Sequence, residues 1–89
     1  MNNVIDKEFS VFSARLKVDE LQKQIQTLNY NKQFSMLLNN IGKMISELSK
    51  LEVLHKHKPN HHSILEKREA ILKAIKYLEQ LIIVAKLSE

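Results

Sequence analysis

A chain of 89 residues that carries one glycine, Gly42, and one proline, Pro59, has little material for tight turns. All-β domains need a turn roughly every 8–12 residues, and glycine and proline are the strongest local signals for them. Long helices are the structure such a chain can make. Hydrophobic residues at 44% and charged residues at 27% describe a chain that folds rather than one that stays disordered. A mass of 10.4 kDa leaves room for one small domain, residues 1–89. The chain has no cysteine, which excludes a disulfide scaffold, a thiolate metal site and a cysteine nucleophile, and fits an intracellular setting.

Hydrophobic spacing divides the chain. A seam of Val11, Ala14, Val18, Leu21, Ile25 and Leu28 alternates steps of three and four, as the core face of a helix does. Ile5, Phe9, Phe12 and Leu16 repeat the spacing on a neighbouring stripe. With Asn3 as N-cap, the first helix is expected over about 4–28. At Asn29-Tyr30-Asn31 the phase slips, and a second seam runs through Tyr30, Phe34, Leu37, Ile41, Met44, Leu48 and Leu51. The slip reads as a turn or sharp kink, the alternative being a stutter within one helix of about 50 residues. The second helix is expected over about 30–54, with a possible break at 39–42 around Asn39, Asn40 and Gly42.

Residues 55–63 form a polar His/Lys/Pro loop. Pro59 lacks an amide hydrogen and disfavours helical geometry at the residue before it. Ser63-Ile64-Leu65-Glu66 then matches a capping box, which starts the last helix at Ile64 and predicts it over about 64–87. Its core stripe is Ile64, Ile71, Ile75, Leu78, Ile82 and Ala85, backed by Leu65, Leu72 and Leu81. The fold class is therefore all-α: a three-helix bundle if the slip near residue 30 is a turn, or a long helix plus helical hairpin if it is not. Both pack antiparallel in the manner of coiled coils. The long-helix form would leave the first seam uncovered in a monomer. The run Leu81-Ile82-Ile83-Val84-Ala85-Lys86-Leu87 is apolar on nearly every face, and cover for it from another chain predicts self-association or a stable complex.

Chemistry is sparse. There is no glycine-rich phosphate loop, no carboxylate cluster and no ordered base beside a serine, so no enzyme, catalytic residue or cofactor is expected. His55, His57, His61 and His62 are potential metal ligands, but the interleaved Lys56 and Lys58 and the lack of a zinc-site spacing favour a solvated loop. Below about pH 6 those imidazoles would add to the charge of Lys56 and Lys58, giving a pH-sensitive or anion-binding loop. A formal charge of +4 and a pI near 9.4 invite a nucleic-acid reading, with Lys56, Lys58, Lys67 and Arg68 as its footprint. Against it, the outer face of the last helix mixes Lys73 and Lys76 with Glu66, Glu69 and Gln80.

The leading expectation is a non-enzymatic helical interaction module, a small chaperone, adaptor or inhibitor that takes up a partner helix through apolar seams. The partner is another protein or a second copy of the chain, and the contact residues are Arg68, Tyr77, Leu81, Ile82, Ile83, Val84 and Leu87. Arg68, at the margin of the apolar stripe, either snorkels or meets an acidic partner group. The alternative is a small basic regulator that binds nucleic acid. Two helices closed by a polar loop and ending in LEKREAILKAIKYLEQLI resemble, over residues 35–85, the small helical-hairpin co-chaperones of type III secretion. That resemblance is one of architecture rather than of motif. The N-terminal stretch lacks the charge and apolar pattern of a secretory signal. No apolar run approaches the roughly 20 residues of a membrane span, so a cytoplasmic location is expected.

Overall fold

A computed structural model of the chain describes residues 9–29 and 31–88. Among the described residues three helices follow one another: α1 is Val11–Gln26, α2 is Asn31–Leu54 and α3 is His62–Ser88. The molecule is all-α, and the slip near residue 30 is a turn between separate helices rather than a stutter. Each helix packs on the next in sequence, whereas α1 and α3 barely meet. The result is an extended, hairpin-like stack measuring 48 × 27 × 17 Å.

The first helix starts later than its apolar stripe suggests. Ser10 has extended backbone, φ −141° and ψ 166°, and its side chain accepts from the Ser13 amide at 3.0 Å. Ser13 Oγ in turn accepts from the Ser10 amide at 2.8 Å, which completes a reciprocal cap. A helix running unbroken from residue 4 to 28 is therefore ruled out at Ser10; the Asn3 cap lies outside the described residues. Serine outside a helix keeps its hydroxyl free for backbone amides, so two serines three apart make a start signal that competes with apolar periodicity. At the other end the Thr27 hydroxyl donates to the Gln24 carbonyl at 2.7 Å and the Leu28 amide to the Ile25 carbonyl at 2.9 Å. Leu28 belongs to the turn, yet its side chain is buried and pins the turn to the core.

Helix α2 is continuous across Asn39, Asn40 and Gly42, so the reserved break at 39–42 does not occur. Its buried residues are Leu38, Ile41, Ile45 and Leu48, while Phe34, Leu37, Met44 and Leu51 pack against them half-covered. The seam read from the sequence is thus only half of the buried face. The central helix has a neighbour on each side and needs two adjacent stripes, one for α1 and one for α3.

Helix α3 begins at His62, not Ile64, and Ser63 lies inside it. Two successive turns precede it, with the Lys58 amide donating to the His55 carbonyl at 2.8 Å and the His61 amide to the Lys58 carbonyl at 2.9 Å. Pro59 and Asn60 are the central residues of the second turn, where proline's fixed φ suits the first position. The Ser63 amide donates to His61 Nδ1 at 3.2 Å, and the Ile64 amide to the His61 carbonyl at 3.0 Å. His61 is the residue that caps α3. The Ser63–Glu66 capping box is displaced because the imidazole reaches the orphan amide one turn earlier.

The core joins Phe9, Ala14, Leu21, Ile25 and Leu28 to the buried face of α2 and to Ile64, Ile71, Ile75, Leu78 and Ile82 of α3. No polar or charged residue is buried among the described residues. Full burial of each of these Leu and Ile side chains contributes about 1.5–3 kcal/mol relative to exposure.

Candidate interaction surface

Helix α3 carries two apolar seams, and the bundle covers one. The stripe that includes Ile64, Ile71, Ile75, Leu78 and Ile82 is buried. On the far side Tyr77, Gln80, Val84 and Leu87 stand at steps of three, four and three, the spacing of a coiled-coil seam, and all four are exposed. Val84 is 59% and Leu87 83% exposed, and Ile83, half-exposed beside them, widens the strip. Lys73 precedes Tyr77 by four and continues the line toward the middle of the helix.

The contact residues expected from sequence are divided by this geometry. Tyr77, Ile83, Val84 and Leu87 are at the surface, and Leu81 is half-buried. Ile82 is 1% exposed, a core residue of its own chain, and is removed from the candidate surface. A helix side holds only part of any five-residue apolar run, so one of its members had to face inward. Arg68 turns toward α2, where its guanidinium donates to Glu52 Oε2 at 3.2 Å, and its Nε is buried without a hydrogen-bond partner among the described residues. The acidic group it meets is therefore in its own chain.

The basic footprint is divided in the same way. Lys67 Nζ holds Glu47 Oε1 at 2.9 Å, and Glu47 is pulled below the usual carboxylate range first by that hydrogen bond and then by the lysine's charge. With Arg68 on Glu52, only Lys56 and Lys58 of the four remain without an ion pair among the described residues.

Apolar surface that sequence spacing assigned to the core is also left outside. Phe12 and Leu16, one turn apart on α1, are 73% and 53% exposed. Their stripe lies opposite Ala14, Leu21 and Ile25, so a helix 16 residues long cannot bury both. Between α1 and α3 runs an open groove of about 300 Å³ with Phe9, Ala14, Leu72 and Ile75 among its lining residues. Lys17 Nζ and Glu79 Oε2, 2.7 Å apart, tie the two helices across it, and the hydrogen bond that Lys17 donates to Glu79 raises the ammonium above its ordinary value.

Three of the four histidines, His55, His61 and His62, stack on one another. The His55 and His61 rings stack with centroids 3.8 Å apart and planes 11° from parallel, and His61 lies 4.9 Å from His62. Stacked rings aim their nitrogen lone pairs along parallel planes instead of at one point. No group of three metal-ligating side chains converges among the described residues. No described helix is long and apolar enough to cross a membrane.

No family model, no curated protein and no solved structure matches this chain.

Proposed function

We propose that the chain is a non-enzymatic helical interaction module whose second seam on α3, Tyr77, Gln80, Val84 and Leu87, takes up an amphipathic helix of another protein. The observation that carries this reading is the pairing of two heptad-like stripes on one helix, one inside the bundle and one outside. Association through such a strip is a recurring mode of helix recognition. Charge selects the partner. On the C-terminal half of α3, Lys76 and Lys86 have no ion pair among the described residues, and Glu79 is engaged by Lys17. An apolar stripe flanked by carboxylates complements that surface. A second copy of the chain, at +4, brings the same lysines and is the poorer fit.

Native mass spectrometry of the untagged protein from its own cells, repeated with Val84→Glu and Leu87→Glu together, tests the proposal. Both positions are exposed, so the double variant keeps the thermal melt of the parent. A defined hetero-complex that is lost in the variant supports the reading. A bare monomer, a homodimer, or a hetero-complex indifferent to the two glutamates overturns it. A complex with RNA or DNA that weakens steeply with salt would instead favour the basic regulator.

A further inference from the structure

The connection between α2 and α3 is built on a ring that holds two positions at once. His61 is the middle member of the His55–His61–His62 stack and the cap of α3, with Nδ1 3.2 Å from the Ser63 amide nitrogen and 2.9 Å from Ser63 Oγ. The capping position requires a neutral imidazole. An Nδ1 that accepts from an amide keeps its lone pair, and the ring proton then sits on Nε2. Adding a second proton converts the acceptor into a donor facing another donor. It also places a cation at a helix N-terminus, where the macrodipole is already positive.

We infer that His61 is a proton-operated latch: neutral, it caps α3 and closes the loop, and protonated, it releases the first turn of α3 and the ring stack. The Ser63 hydroxyl oxygen is in reach of a protonated Nδ1, but no carboxylate is there to offset the charge. The pocket on one side is lined by Leu54, His55, His57, Lys58 and His61, with no carboxylate. From α2, Glu52 faces the neighbouring pocket with His55 and Lys56, but it is engaged by Arg68 of α3 at 3.2 Å. Further along α3, Lys67 is bound to Glu47, and Glu66 makes no ion pair among the described residues. Desolvation, followed by the charges of His55, His62 and Lys58, pushes the His61 imidazole below its ordinary value, in the direction the geometry requires.

Titration of the full chain by NMR between pH 7.5 and 5 tests the latch. The His61 ring is expected to titrate below the ordinary imidazole value. The Ser63 amide should shift and lose exchange protection at the His61 midpoint. His61 titrating at or above the ordinary imidazole value, or a Ser63 amide that stays protected through the His61 transition, overturns the inference. His61→Asn supplies a capping oxygen that does not titrate, so in this variant the pH response of the Ser63 amide should vanish. Persistence of that response in the variant overturns the latch as well. If the variant does not fold, the parent titration decides alone.

Discussion

Leu78 is fully buried in the seam of α3, and no polar or charged residue is buried among the described residues. Leu78→Asp is therefore expected to unfold the chain, because an unpaired carboxylate would have to enter the core; an unchanged thermal melt would place that seam at the surface. Gly42 presents the opposite case. Its backbone is helical, no atom lies within 4 Å of where a Cβ would stand, and its φ is not positive. Gly42→Ala should stabilise the fold by about 0.5–1 kcal/mol through helix propensity and reduced freedom of the unfolded chain, seen as a rise in Tm of several degrees. These positions were legible in the sequence because a seam residue and a mid-helix glycine are defined by spacing alone. His61 was not. Ser63 and Glu66 satisfied a known pattern, and only the three-dimensional turn through Pro59 brings an imidazole to the Ser63 amide ahead of it.

At the level of the helices, caps and neighbours account for the differences between expectation and structure. Ser10 and Ser13 start α1 inside an apolar stripe that would otherwise run on, so Ser10→Ala is expected to cost about 1 kcal/mol. Circular dichroism on heating would show that loss as a lower Tm; no change would mean that packing rather than the cap sets the start of α1. Helix α2 shows why periodicity finds a helix more readily than its full face. Phe34, Leu37 and Met44 follow one stripe, but Leu38 and Ile45 on the next are the more deeply buried, because contact with two helices widens the face required. Exposed seams are harder still. Val84 and Leu87 belong to an excess of apolar residues visible in the sequence, yet which of that run turns inward depends on where α2 lies against α3. Ile82 turned inward.

For the molecule as a whole, pH acts through groups whose shifts have opposite signs. The folded His61 binds its proton less readily than a free imidazole. Stability is therefore unaffected above about pH 6.5 and falls as pH drops from there through the lowered folded value. Glu47 adds stability above the ordinary carboxylate range that is lost as pH falls through its own lowered value. Lys17, raised by Glu79, adds stability that is complete at neutral pH and is lost only as pH rises through its raised value. Urea midpoints measured from pH 11 to 3 should therefore be highest near neutrality and show two separate acid declines. Glu47→Gln should remove the lower decline and leave the upper one in place. A single decline in the parent would count against one of the two groups.

Because α2 touches both other helices and these barely touch each other, nearly every contact in the molecule is made between chain neighbours. The loops that must close are mostly those between successive helices, the Lys17–Glu79 pair of α1 and α3 being an exception. Such a topology belongs with the fast folders, in the range of about microseconds to milliseconds. Rapid-mixing or temperature-jump traces should lack a slow, topology-limited phase. The same arrangement gives synthesis a natural order: the α1–α2 pair can form as soon as α2 has emerged, and α3 then closes onto a surface already in place.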